Sequence, residues 1–296
     1  MCVCVGDGFT MRDSTATPRP GDRPLADGAS RDYSRKLDLF NRFAEPELRA
    51  AITALEIVPG SRVLDAGCGT GMQSMWLAEA AGSRGMLTAV EISEAHASIA
   101  RSRLEQVSAQ TTVEVGDVAR MEIPSRSFDL VWCSNTLNHL ADPVETLVRW
   151  RDALRDRGRV VVGQSAFLQE MVFAWDWRLE TEITRACREF YLDKYGLTAD
   201  DTTNARNIVG FMRRAGFSSV IPRTIVIERT APLRSVDVDY VTEAIFNGYW
   251  RRVRSYLSAS DADALARLVD PASPEFALAR ADFHFLMTFT LVIASG

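Results

Sequence analysis

A chain of 296 residues suits one large α/β domain, or a core with a smaller cap. Its 47% hydrophobic and 25% charged residues are typical of an ordinary soluble globular protein. A net charge of -5 does not provide the broad positive surface of a protein that binds duplex nucleic acid, so we expect no nucleic-acid partner.

The N-terminal segment and the cysteines bear on location. Residues 1–29 are rich in Gly, Pro, Asp, Ser and Thr, which predicts a flexible leader, and they lack the features of a signal peptide. The five cysteines show no paired metal-ligand spacing and predict free thiols in a reducing compartment. The longest apolar stretch, around 283–294, is too short to span a bilayer. We therefore expect a cytoplasmic protein with no membrane partner and no metal.

Helical and strand patterns follow the leader. Apolar residues at helical spacing predict two helices, broken near Pro46, as an N-terminal helical lid over 30–58. Short apolar strands then alternate with helices over 59–166. The helix over 143–154 starts at Pro143, and Gly158 is expected to stop it before the fifth strand. This alternation predicts an α/β fold with a Rossmann-like, doubly wound parallel sheet. Its predicted strands are 62–66, 86–91, 112–115, 128–133 and 159–163.

The pattern changes over 167–296. Two strands there, 219–228 and 284–293, are expected to complete a seven-stranded sheet as an antiparallel pair. Helical segments at about 168–195 and 236–270 are expected to cover the substrate site as a cap, with the second inserted before the last strand.

The stretch with the strongest chemical signal is VLDAGCGTG, residues 63–71, where an apolar strand runs into three alternating glycines. Glycines at a strand-to-helix turn let the backbone approach a ligand closely. The alternative is an ordinary glycine-rich turn. Glu91 ends the second strand, where a carboxylate can accept hydrogen bonds from ribose hydroxyls, and Asp117 follows the third, where it can accept from an adenine amino group. Taken singly, these two acids could equally be a solvated charge and a turn residue.

These segments, with AVE at 89–91, GDV at 116–118 and FDLVWCSNTLNHL at 128–140, resemble the class I S-adenosylmethionine (SAM)-dependent methyltransferase family. The resemblance is closest to its ubiquinone/menaquinone-biosynthesis and natural-product branches, and it covers roughly 60–165. It implies SAM as the cofactor and S-adenosylhomocysteine as the product. By position it implies these SAM-binding residues: Asp65, Gly67, Gly69 and Gly71 for the methionine part, Glu91 for the ribose, Ile92, Asp117 and Val118 for adenine, and the backbone of Ser134 and Asn135 for the methionine amino group.

A nicotinamide or flavin oxidoreductase is the competing class of enzyme. Its fingerprint G-x-G-x-x-G, started at Gly67 and Gly69, requires a third glycine where this chain has Met72. An acid at Asp65 would also repel a pyrophosphate, whereas it suits the cationic sulfonium of SAM. The sequence therefore favours SAM.

Two residues are candidates for catalysis. His139 lies just past the fourth strand and could act as a general base near the ordinary histidine pKa, although it could equally pack locally. Tyr33 lies on the N-terminal segment, which in related enzymes folds over SAM. We expect His284 to be structural and His96 to face solvent.

The expected function is transfer of a methyl group from SAM to an O, N or C atom of a small metabolite, in secondary metabolism, by a monomer or homodimer. Aromatic residues of the cap favour an apolar or aromatic acceptor if they line a pocket, although packing is their commoner role. They are Trp175, Trp177, Phe190, Tyr191, Phe246, Tyr249 and Trp250. The alternatives are a non-catalytic SAM- or nucleoside-binding regulatory protein and a protein or RNA methyltransferase.

Overall fold

The structure is a computed structural model that describes residues 31–165, 171–173, 176–195 and 206–296. The expected leader over 1–29 lies outside the described residues. Within them, the seven expected strands form one sheet, and a short strand of three residues adds an eighth. In chain order the strands are β1 Arg62–Ala66, β2 Met86–Glu91, β3 Gln110–Val115, β4 Phe128–Ser134, β5 Leu154–Ser165, β6 Met171–Phe173, β7 Ser219–Thr230 and β8 His284–Ser295.

The sheet is doubly wound, as the sequence predicts. Strands β3, β2, β1, β4 and β5 are parallel neighbours in that order. Strand β8 then pairs antiparallel with β5, β6 and β7. Because β1, β2 and β4 are parallel, their carboxyl ends meet at one edge of the sheet, where ligands bind in folds of this type.

Helices cover both faces. Leu64 and Val131 point to one apolar layer and Val63 and Trp132 to the other, as alternation along a strand requires. The two expected N-terminal helices are present, and Pro46 lies in the first turn of the second, where its missing N–H is tolerated. The helices are α1 Arg31–Phe43, α2 Glu45–Thr53, α3 Met72–Ala81, α4 Glu94–Leu104, α5 Pro143–Asp152, α6 Trp177–Tyr195, α7 Ile208–Arg214, α8 Ser235–Tyr240 and α9 Ala259–Val269.

Two predicted boundaries and one predicted helix type were wrong. Helix α5 ends at Asp152, and Gly158 lies inside β5, where a Cβ would come within 3.1 Å of the Phe128 carbonyl oxygen on β4. The predicted helix over 168–195 begins only at Trp177, and β6 precedes it. The segment after α8 continues as a π-helix, Val241–Trp250, whose wider turn the apolar pattern did not distinguish from an α-helix. Across the described part of the chain, every helix is too short or too polar to cross a membrane.

Candidate active site

The glycine loop, residues 67–71, joins β1 to α3 at the carboxyl edge of the sheet. Gly67, Gly69 and Gly71 all have left-handed φ angles, at 84°, 56° and 78°. A Cβ on Gly67 would overlap the Thr136 side chain, and one on Gly71 would lie 2.8 Å from Ala100 Cβ. The loop therefore needs glycine for its conformation and for its close packing against neighbouring residues.

Glu91, at the end of β2, holds the glycine loop directly. Its Oε2 accepts a hydrogen bond from the Gly69 N–H at 2.9 Å, and its Oε1 accepts one from the Ser93 N–H at 3.0 Å. Burial opposes ionisation of Glu91, but hydrogen bonds from His96 and from these N–H groups outweigh it and lower the pKa. The carboxylate stays charged, and after the Gly69, Ser93 and His96 bonds it can accept from one further donor.

His96 does not face solvent as expected, and this interpretation was wrong. Its side chain is 2% exposed, and Nδ1 lies 3.8 Å from Glu91 Oε1. The cause is local: the Ser93 hydroxyl caps α4 by accepting from the His96 N–H. This cap places the first turn of α4 next to the end of β2, so the His96 ring lies against the Glu91 carboxylate.

Asp65 is the second carboxyl group beneath the loop. It is buried at the end of β1, where the Ser74 hydroxyl donates to it at 2.5 Å. Burial, together with repulsion from Glu91, raises its pKa to about 7, although the Ser74 hydrogen bond opposes the rise. A cation bound nearby would favour the ionised form of Asp65.

The three residues expected at adenine differ in exposure and in their hydrogen bonds. Ile92 is 49% exposed directly after Glu91 and offers an apolar surface, whereas Val118 is buried in the core. Asp117 Oδ1 accepts from the Ala119 N–H at 2.9 Å, so the carboxylate orders the turn after β3. Its side chain is still 35% exposed, which leaves it accessible to a ligand.

The end of β4 is fixed by backbone bonds. The Asn135 N–H donates to the Gly163 carbonyl at 2.8 Å, while its side-chain oxygen accepts from the Ser165 N–H and hydroxyl. The Ser134 carbonyl accepts from the Thr136 hydroxyl at 3.1 Å. Asn135 therefore has a structural role, and its expected role at the methionine amino group stays a prediction.

Four buried polar atoms near this end of β4 and β5 have no hydrogen-bond partner among the described residues. They are Ser134 Oγ, Asn138 Oδ1, His139 Nδ1 and Gln164 Oε1. An unsatisfied buried acceptor costs about 1–3 kcal/mol, so such a group is normally paired in a working complex. Asn138 and Gln164 were not predicted as site residues. The signal for Gln164 was its position as the polar residue directly after the apolar run RVVVG of β5.

His139 lies in a short 3-10 turn, Leu137–His139, directly after β4. Burial lowers its pKa to about 3, so the imidazole is neutral at every physiological pH. The expectation of an ionisation near the ordinary histidine value was therefore wrong. Tyr33, the other expected catalytic residue, is in α1, but its side chain lies outside the described residues.

Known proteins resemble this arrangement. Residues 63–158 match the family described as a methyltransferase domain. Aklanonic acid methyltransferase DauC of Streptomyces sp. (strain C5) is 34% identical over 142 residues, which are 48% of this chain and 63% of that protein. Residues 63–158 therefore carry a methyltransferase domain, and the chain spans less than two thirds of this relative.

Two further comparisons bear on this domain. The ubiquinone/menaquinone biosynthesis C-methyltransferase UbiE of Burkholderia mallei (strain SAVP1) is 28% identical over 46% of this chain and 58% of that protein. The chain thus spans less than two thirds of either curated relative. The crystal structure of a SAM dependent methyltransferase from Aquifex aeolicus covers 67% of this chain and 92% of that one, with a TM-score of 0.50 at 15% identity, which shows the fold alone.

The residues at this edge of the sheet fit SAM. Two carboxyl groups, Asp65 and Glu91, lie next to the glycine loop, and the Glu91 carboxylate has free acceptor capacity. A cationic ligand with hydroxyl donors matches these features. In the described ranges, we found no cluster of three or more His, Cys, Asp or Glu side chains that could hold a metal ion.

Cap aromatics serve mainly as packing. Phe246 and Trp250 are buried and stacked, with ring centroids 5.1 Å apart, while Trp177 is exposed. The side chains of Trp175 and Tyr191 lie outside the described residues. An apolar acceptor pocket therefore has less support from these side chains than the sequence suggested.

Proposed function

We propose that this chain transfers a methyl group from SAM to an O, N or C atom of a small metabolite, in secondary metabolism. SAM supplies a methyl group on a positively charged sulfur. The residues at the two strand ends bind and orient: the glycine loop and Glu91 on the cofactor side, and the β4–β5 edge on the acceptor side. Proximity and alignment of this kind supply most of the catalysis that such a displacement needs.

The observation that carries the proposal is the hydrogen bond from the Gly69 N–H to Glu91 Oε2 at 2.9 Å. It joins the glycine loop of β1 to the acid of β2, so two separate sequence motifs form one site. The alternative of an ordinary glycine-rich turn does not account for a buried, charged carboxylate that keeps unused acceptor capacity.

The unpaired acceptor atoms at the β4–β5 edge favour a substrate that carries hydrogen-bond donors. Asn138 Oδ1 and Gln164 Oε1 are amide oxygens, which only accept hydrogen bonds, and the neutral His139 also offers Nδ1. A hydroxyl or amine on the acceptor would satisfy them. We propose that the neutral His139 accepts a hydrogen bond from such an acceptor and orients it, because a group with a pKa of about 3 is too weak a base to hold the acceptor's proton at neutral pH. Tyr33 is the second catalytic candidate.

The test is product formation. The full chain would be incubated with SAM and a panel that includes aklanonic acid, quinol precursors and small phenols, and S-adenosylhomocysteine would be measured. Turnover with a small acceptor is expected. Tight SAM binding without turnover on any acceptor would favour the non-catalytic regulatory alternative, and turnover only with protein or RNA would contradict a small-molecule acceptor. The cytoplasmic location and the monomeric or dimeric state also remain predictions.

A further inference from the structure

Helix α1 is fixed to the glycine loop by a polar contact that no sequence motif predicted. The Thr70 hydroxyl donates to Asp38 Oδ1 at 2.7 Å, across 32 residues of chain. Arg103, from α4, donates to both Asp38 oxygens at 3.2 and 3.0 Å and to the Thr70 carbonyl at 2.8 Å. One guanidinium thus joins α1, α4 and the loop.

This contact is shielded from water. Thr70 is 1% exposed, and the Arg103 and Asp38 side chains are 18% and 24% exposed. Charged hydrogen bonds at sites with little solvent are stronger than those on the surface. Beside it, Leu37 Cδ1 lies 3.0 Å from the position that a Cβ on Gly69 would occupy, so α1 packs directly on the loop.

A second contact holds α1 near its C-terminal end. The Gln73 amide donates to Asn41 Oδ1 at 2.8 Å, and the Trp132 indole N–H donates to Gln73 Oε1 at 3.0 Å. The other side of α1 meets the segment that contains α8, where Phe43 stacks on Tyr240 at 4.3 Å between ring centroids. Helix α1 therefore lies between the glycine loop and the inserted helices.

We propose that Asp38 and Arg103 are positioning residues for SAM: they hold α1 against Thr70, and the cofactor site is complete only while α1 is docked. The proposal rests on the proposed SAM-dependent function. Neither side chain has to touch SAM, because each acts through the conformation of the glycine loop. Loss of the contact frees Thr70 and weakens cofactor binding while the sheet remains folded.

The experiment measures the dissociation constant of S-adenosylhomocysteine by calorimetry for the full chain and its variants. Asp38→Ala and Arg103→Gln should each weaken binding by about 10-fold or more, the loss expected when a charged hydrogen bond is removed. Asp38→Asn, which keeps an oxygen for Thr70, should lose less. The double variant should bind about as well as the weaker single variant, because the two residues act as one unit. The matched control is Arg101→Gln, also on α4, whose guanidinium pairs with exposed Glu94.

Two readouts separate positioning from general stabilisation. Amide hydrogen exchange of residues 67–71 should accelerate in Asp38→Ala without ligand, and circular dichroism should stay unchanged. Wild-type affinity in folded Arg103→Gln would overturn the proposal, even if Asp38→Ala failed to fold. A wild-type chain that binds no S-adenosylhomocysteine would instead overturn the proposed function, and this inference with it.

Discussion

The two ends of the ligand edge are built differently. At β1 and β2, the polar groups are already paired within the protein: Glu91 with Gly69 and Ser93, Asp65 with Ser74. At β4 and β5, the chain leaves buried polar atoms without partners, among them Gln164 Oε1 and His139 Nδ1. The difference indicates that the cofactor end is preorganised, whereas the acceptor end is completed by the substrate.

Preorganisation lowers the cost of ordering a site when its ligand binds. A cofactor end of this kind should respond to substitution through SAM affinity, and an acceptor end with unpaired groups should respond through turnover. The predictions that follow test this division, starting from the largest expected effect.

Gly69→Val should abolish measurable SAM binding. A side chain there adopts an unfavourable φ of 56° and meets Leu37, so the loop must shift away from Glu91. Calorimetry with S-adenosylhomocysteine measures the effect, and Gly82→Val is the control, because Gly82 also has a positive φ but lies at the far end of α3. Retained binding in Gly69→Val would mean that the loop does not contact the cofactor.

His139→Ala should lower single-turnover methyl transfer by about 10-fold with an acceptor that carries an N–H or O–H group, the loss expected for one orienting hydrogen bond, while SAM affinity changes little. Because burial lowers the His139 pKa to about 3, its ionisation should not appear in the wild-type rate over roughly pH 5.5–9. His284→Ala, at the start of β8, is the control. Equal rates for His139→Ala and wild type at every pH would remove His139 from the mechanism.

Glu91→Ala should weaken SAM binding by about 1.5–3 kcal/mol, the range for hydrogen bonds to a charged group. The loss combines the ribose contact with release of the Gly69 N–H. Calorimetry on Glu91→Ala and on the exposed control Glu94→Ala gives the comparison. Unchanged affinity in folded Glu91→Ala would defeat the assignment of Glu91 to the cofactor.

SAM affinity should rise by up to about 10-fold from pH 6 to pH 8, because Asp65 loses its proton over this range. Its pKa of about 7 leaves it mostly protonated at pH 6, and the cation favours the ionised form. Because folding raises this pKa from 3.8, the unliganded protein should lose stability as pH rises toward 7. Glu91, with a lowered pKa, stays ionised throughout. Asp65→Asn should remove the pH dependence; its persistence in that variant would exclude Asp65 as the source.

Much of the fold could be predicted from sequence because the strands are short apolar runs bounded by turns. Strands β1 and β2 lie where their apolar patterns placed them. The glycines of the loop predicted a tight turn, and all three have positive φ angles. The contacts of His96 and of Asp38 could not be predicted, because they depend on how α4 and α1 pack on the loop. The pairing of β5 with β4 is irregular between Leu154 and Arg159, around Gly158. This irregularity depends on the neighbouring strand, which local sequence patterns do not report.

The central claim is that the glycine loop and Glu91 bind SAM and no dinucleotide. The direct measurement is the thermal stability of the wild-type chain with SAM, S-adenosylhomocysteine, NAD or NADP at matched concentrations. A ligand at 100 times its dissociation constant adds about 2.7 kcal/mol of stability, which shifts the melting temperature clearly. Stabilisation by SAM and S-adenosylhomocysteine, with none by NAD or NADP, is the predicted result; stabilisation by a nicotinamide dinucleotide alone would contradict the account.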